Sequence, residues 1–231
     1  MAPTFADRVL AFHRDLALPK IRVAGVRTLD PYRNPVTSEL AARFYRKYYS
    51  DSQPRIFIFG INPGRFGAGM TGVPFTDPIR LENSCGIENS LPKKPELSSV
   101  FIYQAIERWG GLEKFCREFF FAAVSPVGFV RGGKNFNYYD DTRLLKSLQP
   151  FIVESMGKQI AIGARREVAI VLGTGKNRLI FERLNEEHGF FERVAVVEHP
   201  RFIMQYRRKR LAEYVDRYDA VLSGAVGNTA K

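Results

Sequence analysis

The sequence predicts an α/β protein, a single domain built on a central four-stranded parallel sheet with helices on both faces. Three observations lead there. Four short apolar runs, rich in β-branched and aromatic residues, lie at 55–60, 119–124, 168–172 and 194–197. Stretches with helical spacing separate them, and that alternation buries a parallel sheet between helices. A chain of 231 residues, 45% hydrophobic, has material for one such core with an appended element.

Taken in order, Thr4 caps a helix over residues 5–18, with Phe5, Val9, Phe12 and Leu16 on one face and Pro19 near its end. Turn signals at Asp30-Pro31 and Asn34-Pro35 precede a second helix over 37–49, where Leu40, Phe44 and Tyr48 recur at helical spacing. The first strand, 55–60, closes on glycine. Residues 61–97 are rich in Gly, Pro and Asn and too long for an ordinary connection, so they read as a functional loop. Ser98 caps a helix to Trp109, a short helix covers 112–118, and the second strand, 119–124, runs into a Gly- and Asn-rich loop, 125–139. Asp140 or Asp141 opens a helix that turns Leu144, Leu145, Leu148 and Ile152 inward, with Pro150 kinking it or ending its first part. The third strand, 168–172, is followed by a helix over 176–188, the fourth strand, 194–197, and a last helix over 205–222 that buries Leu211, Tyr214, Val215, Tyr218 and Leu222. The expected division is an N-terminal helical segment, 1–50, packed on the core, then an α/β domain, 51–223, then a disordered tail, 224–231.

Composition narrows the function. The net charge of +11 points to a polyanionic partner, nucleic acid or an acidic membrane. The two cysteines, Cys85 and Cys116, form no CxxC pair and join no Cys/His cluster of zinc spacing, and four-cysteine iron–sulfur ligation is excluded by number. No metal and no cofactor are expected. Charges within residues 1–25 break any signal-peptide core, and no uncharged apolar run approaches a bilayer's thickness. The expectation is a cytoplasmic monomer with no membrane partner.

In sheets of this kind ligands sit at the carboxyl ends of the strands, so the residues just after each strand carry the information. After the first strand, Gly60-Ile61-Asn62-Pro63-Gly64-Arg65-Phe66-Gly67-Ala68-Gly69-Met70-Thr71-Gly72-Val73-Pro74-Phe75 contains five glycines that let the backbone approach a ligand. Asn62, held between strand and Pro63, has an amide of fixed direction, and Phe75 offers a flat face to a base. No Gly-Lys-Ser/Thr ends the stretch, so it is not a Walker loop. After the second strand, Asn135 and Asn137 carry amides able to read a base edge, beside Tyr138 and Tyr139. After the third, Gly173-Thr174-Gly175-Lys176 opens a helix whose amides and Lys176 suit a phosphate. After the fourth comes His199-Pro200, then residues 201–210 with five cations and no acid. There Phe202, Ile203 and Met204 separate Arg201 from Arg207, Arg208, Lys209 and Arg210, an arrangement in which cations meet phosphates and an apolar wedge enters a base stack. His13, on an amphipathic helix, and His188, ahead of a helix-ending glycine, read as structural.

Gly60-Ile61-Asn62-Pro63-Gly64, Thr71-Gly72-Val73-Pro74-Phe75 and His199-Pro200 together resemble the uracil-DNA glycosylase superfamily. Within it they resemble a divergent, bacterial-type branch of the single-strand-selective monofunctional enzymes. The resemblance spans the α/β core from about Arg55 to the last helix and leaves the first 50 residues unaccounted for. It implies a monofunctional glycosylase of base excision repair, acting on uracil and also on other deaminated bases, xanthine or hypoxanthine, in single- or double-stranded DNA, and nucleoid-associated. It implies that Asn62 positions the attacking water, Phe75 stacks on the flipped base, His199 hydrogen-bonds its O2, and the segment after His199 fills the gap in the duplex. The expected site is catalytic Asn62 and His199, a base pocket of Gly60, Ile61, Met70, Phe75, Ser125, Asn135 and Asn137, and DNA contacts from Arg65, Lys176, Arg201, Phe202, Ile203, Arg207, Arg208 and Lys209. One departure stands out. Matching the branch's Cys-Pro to Ser125-Pro126 puts Ala123 where it has a base-reading asparagine. Either Asn135 or Asn137 replaces that function, or the pocket is less selective for uracil. Two other classes stay open on the residues alone: a non-catalytic nucleic-acid-binding module of the same fold, and a small-molecule nucleotide enzyme using the Gly-rich loop.

Overall fold

The run Arg55–Gly60 is buried at every position, as an interior strand covered on both faces must be. In the computed structural model, which describes residues 2–227, the strands are β1 (Val26–Leu29), β2 (Arg55–Gly60), β3 (Phe119–Ala123), β4 (Gly128–Arg131), β5 (Lys134–Phe136), β6 (Ala164–Leu172) and β7 (Val194–Val197). The helices are α1 (Phe5–Arg14), α2 (Pro35–Tyr48), α3 (Ala68–Thr71), α4 (Pro78–Asn83), α5 (Leu97–Trp109), α6 (Leu112–Glu118), α7 (Thr142–Ala161), α8 (Lys176–His188), α9 (Pro200–Tyr206) and α10 (Leu211–Gly227).

The expected parallel sheet forms in the order β3-β2-β6-β7, with helices on both faces. Gly60 pairs with Ala123, Phe59 with Val171, and Leu172 with Val197, so all four strands end along one edge. The chain places β3 on one side of β2 and then crosses to β6 on the other. That reversal opens a crevice at the carboxyl ends, where such sheets hold ligands.

Local chemistry sets the helix starts. Thr4 and Asp7 make a reciprocal capping box on α1. The Asn34 side chain accepts from the Val36 and Thr37 amides with Pro35 in the first turn, so α2 begins two residues before the expected Thr37. Asp141, rather than Asp140, caps α7. Leu144, Leu148 and Ile152 are buried as expected, and Leu145 is half-buried. α7 runs through Pro150 without ending, because core contacts on both sides outweigh one lost backbone donor.

Several expectations are corrected. α1 stops at Arg14, and β6 begins at Ala164 rather than at 168. The 61–97 connection contains α3 and α4. The 125–139 loop is in fact the hairpin β4–β5, joined antiparallel to β1 in a second sheet of order β1-β4-β5. The last helix is split: α9 ends at Tyr206, a 3-10 turn covers Arg208–Arg210, and α10 follows. Residues 224–227, expected to be disordered, continue α10, whereas 228–231 lie outside the described residues.

Within residues 1–50, α1 lays Phe5 edge-on against Phe57 and Phe120, and the Arg8 guanidinium donates to the Ile162 carbonyl. The segment is not purely helical, since it supplies β1 to the small sheet.

Candidate active site

The strand ends open onto one cleft of about 400 Å³. Of the residues singled out in the sequence, Gly60, Ile61, Asn62, Phe75, Asn135, Asn137, His199 and Arg201 line it, beside Ala122 and Ala123.

Asn62 follows β2 and is clamped by the segment after β5. Its Oδ1 accepts the Tyr138 amide at 3.1 Å, and its Nδ2 donates to the Phe136 carbonyl at 3.4 Å and the Pro63 carbonyl at 3.3 Å. Tyr138 is fixed in turn. Its buried hydroxyl donates to Asn177 Oδ1 at 2.9 Å, and Asn177 Nδ2 donates to the Leu172 carbonyl at 3.0 Å. A continuous hydrogen-bonded chain thus ties the end of β6 to the amide after β2. An amide oxygen has two acceptor sites; Tyr138 takes one and leaves the other for a water.

Phe75 holds a left-handed backbone at φ 53°, an outlier for a bulky residue. Such strain costs about 1–3 kcal/mol and persists where packing over-determines it. Here the ring meets Phe121 edge-on, with centroids 5.1 Å apart, and lies 6.0 Å from the His199 ring. Gly60 makes room for it, since a Cβ there would sit 3.3 Å from the ring.

His199 is the N-cap of α9, and Pro200 occupies the first turn, where a missing N–H costs nothing. His199 Nδ1 accepts the Arg201 amide at 3.1 Å. A neutral imidazole with Nδ1 accepting carries its proton on Nε2, so the free nitrogen is a donor. Burial, and then the charge of Arg201, pull the His199 pKa down to about 4, which keeps the ring neutral near pH 7.

The two asparagines after β4 are partly committed. Asn135 Oδ1 accepts the Arg65 amide at 2.9 Å, which ties the hairpin to the first loop. Asn137 Nδ2 donates to Asp140 Oδ1 at 3.3 Å. Ser125 is corrected to a bracing role: it is fully buried, its hydroxyl donates to the Val127 carbonyl at 2.8 Å, and its amide donates to the Ile61 carbonyl at 3.1 Å. Met70 does not line the cleft; it lies in α3, and its carbonyl accepts the Thr37 hydroxyl at 2.9 Å.

The basic segment divides by burial. Ile203 is 0% exposed, so it packs α9 onto the core and is corrected from wedge to core residue. Phe202 is 39% exposed, with Arg207 over its ring at 5.2 Å and Tyr206 beside it. Among the described residues Arg201, Arg207, Arg208 and Lys209 make no ion pair within 4.0 Å, whereas Arg210 is paired with Glu213. Arg65 lies over the exposed ring of Phe66, which lines the same cleft. Lys176 is exposed in the first turn of α8 and does not line the cleft.

Sequence reading passed over four residues placed here. Phe66 and Gln205 line the cleft, Tyr206 is exposed beside Phe202, and Glu96 lines the same cleft as Ala123. Phe66 and Tyr206 sat inside motifs already quoted, but Glu96 carried no motif signal. Among the described residues no group of three or more His, Cys, Asp or Glu is placed to hold a metal ion, and no helix is long and apolar enough to cross a membrane.

Comparison with known proteins agrees with this geometry. The family model for the uracil DNA glycosylase superfamily matches residues 46–222. The crystal structure of wild-type SMUG2 from Pedobacter heparinus is similar over 100% of both chains, at 40% sequence identity and a TM-score of 0.93. No curated protein matches the chain. A clamped amide after the first parallel strand, a strained ring lining the same cleft, a neutral histidine after the last strand and a family match over the whole sheet lead to one conclusion: this chain belongs to the uracil DNA glycosylase superfamily.

Proposed function

We propose that the chain releases uracil from DNA, and that its pocket also takes hypoxanthine and xanthine. The reading rests on one observation: Asn62, Phe75 and His199 share a single cleft, with both polar groups locked in orientation. The flipped base stacks on Phe75. Asn62 Oδ1 holds a water against C1′ of the deoxyribose. The bond from C1′ to the base nitrogen breaks, and its electron pair leaves on the base. Nε2–H of His199 donates to the carbonyl oxygen where that charge gathers, an oxyanion-type stabilisation. Water supplies the new C1′–O bond, and its proton passes to solvent or to the departing base. Because an amide is a poor base, attack comes late, on a sugar already cation-like. Flipping costs a few kcal/mol, so mispaired or single-stranded sites react more readily.

The unpaired cations Arg201, Arg207, Arg208 and Lys209 support a phosphate-contacting rim, and the exposed Phe202 supports an apolar plug in the vacated stack. The test is single-turnover base release from labelled oligonucleotides carrying one uracil, hypoxanthine or xanthine, single-stranded and duplex, read by alkaline cleavage. Release of uracil with no release of the purines confines the pocket to uracil. DNA binding with no release of any base favours a binding module.

A further inference from the structure

The proposed chemistry leaves Glu96 unused, along with Asn135, Asn137 and Gln205 of the same cleft. Glu96 is the N-cap residue of α5, yet its side chain does not cap the helix. Its backbone is held elsewhere: its amide donates to Asp77 Oδ2 at 2.9 Å. The side chain lies instead along the cleft wall. The residue keeps some exposed surface, but its Oε2 is buried and has no hydrogen-bond partner. A buried acceptor without a partner calls for an explanation, and a ligand is one.

The first loop is shaped around this carboxyl. Gly67 adopts φ 60°, and a Cβ there would stand 2.3 Å from Glu96 Oε2. A side chain at 67 would displace the carboxyl from its place in the cleft, and the positive φ itself favours glycine there.

We infer that the Glu96 carboxyl reads the flipped base, giving a hydrogen bond to a ring carbonyl and taking one from the neighbouring ring N–H. The inference rests on the glycosylase reading and fills the gap left by Ala123, whose methyl can do neither. The alternatives are weaker. The Asn135 amide is held by the Arg65 backbone N–H and the Asn137 amide by Asp140, so neither turns freely to present donor and acceptor together to a base, while Gln205 is exposed on α9. A protonated carboxyl offers one donor and one acceptor side by side, as an asparagine amide does. Uracil, hypoxanthine and xanthine share the matching edge, a carbonyl next to a ring N–H.

The surroundings favour that protonated form. Burial first, and then the charge of Asp77 ahead of α4, push Glu96 up to about 7. Arg201 in α9, Ser98 in α5 and Arg80 in α4 oppose the shift without cancelling it. Asp77 itself stays ionised: burial works against its charge, but the Glu96 and Arg80 amides, the Ser99 hydroxyl and the Arg80 charge outweigh burial and hold it below the usual carboxylate range. Above pH 7 the ionised Glu96 has two acceptors, and one of them must face the base carbonyl. Base release therefore falls as pH rises through that point.

The experiment measures single-turnover release of uracil and hypoxanthine from single-stranded DNA between pH 5.5 and 8.5, for the wild type, Glu96→Gln and Glu96→Ala. Thermal unfolding of each variant confirms that it is folded. The wild type is expected to lose rate above pH 7. Glu96→Ala is expected to be slower by roughly 10–100-fold at low pH, the loss of two ordinary hydrogen bonds, and to lack that alkaline limb. Glu96→Gln, which keeps donor and acceptor but does not titrate, is expected to recover much of the rate lost in Glu96→Ala and to stay level across the range. If Glu96→Gln retains the wild-type alkaline limb, or Glu96→Ala releases both bases at the wild-type rate, Glu96 only fills space and the inference fails. Wild-type protein that releases neither base overturns the glycosylase reading itself, and this inference with it.

Discussion

Tyr138→Phe separates the stability of the site from its chemistry. The ring of Tyr138 is 0% exposed, and Asn177, its hydroxyl's acceptor at 2.9 Å, is 2% exposed. Removing the hydroxyl leaves Asn177 Oδ1 buried without a donor, at a cost of about 1–3 kcal/mol. The ring stays, with its edge contact to Tyr139 at 4.9 Å, so no large cavity adds to that cost. For a domain of this size each kcal/mol shifts Tm by about 2–4 °C, so a mid-range loss lowers Tm by about 4–8 °C. Activity should behave differently. Asn62 is held by the backbone amide of Tyr138, which the substitution leaves in place. Single-turnover base release at 25 °C should therefore fall by no more than about threefold, a change of under 1 kcal/mol. Calorimetry and single-turnover kinetics on the same preparation measure both quantities. An unchanged Tm would show that the Tyr138–Asn177 pair contributes nothing. A rate loss as large as that of Asn62→Ala would show that the buried side-chain chain, not the backbone amide, positions Asn62.

Asn62→Ala should abolish base release, by roughly 10³-fold or more, with DNA affinity by fluorescence anisotropy largely kept; turnover within a few-fold of wild type removes Asn62 from the mechanism. His199→Ala should slow the chemical step by roughly 10²–10³-fold, and an effect on affinity alone would reduce His199 to a cap of α9. The fold holds the His199 pKa near 4, below the ordinary imidazole value of 6.5, so the unfolded chain takes up the proton first as pH falls; denaturant titrations should show a stability contribution lost between pH 6.5 and 4 that is absent in His199→Ala. Arg207→Ala with Arg208→Ala should weaken binding to all sequences and lower the salt slope by roughly one unit per lost contact; an unchanged slope places both outside the DNA interface. Phe202→Ala should harm duplex substrates more than single strands, and equal slowing of both would remove it as a plug.

Much of the site was legible because the chemistry sits immediately after strong apolar runs. Asn62 and His199 each follow a strand that is hard to mistake, and strand ends are where a parallel sheet exposes its loops. What escaped reading depended on phase or on distance. Ile203 looked available because residues 205–222 read as one helix. The His199 cap instead starts α9 at Pro200, and that phase turns Ile203 into the core. The β4–β5 hairpin was hidden by its short strands, although Gly132 and Gly133, both at positive φ, are a two-residue turn signal. Its loss mattered, since the segment it delivers is what clamps Asn62. Glu96 had no local signal at all. Its placement follows from contacts with Gly67 and Asp77, residues 29 and 19 positions away, and no periodicity reports such contacts.

Under the proposed function, the distribution of charge lets one cleft serve both DNA and a base that leaves as an anion. Arg201 lines the cleft, and Arg207, Arg208 and Lys209 follow it in the chain, all without an ion pair among the described residues, while the cleft presents the Asn62 amide, the neutral His199 imidazole, the Phe75 ring and the Glu96 carboxyl. A cationic His199 would stabilise the leaving anion more strongly, but it would sit beside the cation-like sugar at the same moment. A neutral Nε2–H avoids that conflict and still meets the charge that forms on the base. Burial sets this state, and the α9 amide that occupies Nδ1 sets which nitrogen donates. The segment that follows β7 therefore fixes the His199 tautomer and, through one short helix, carries the basic residues proposed to meet DNA. A substitution that unwinds the first turn of α9 should damage catalysis and DNA binding together.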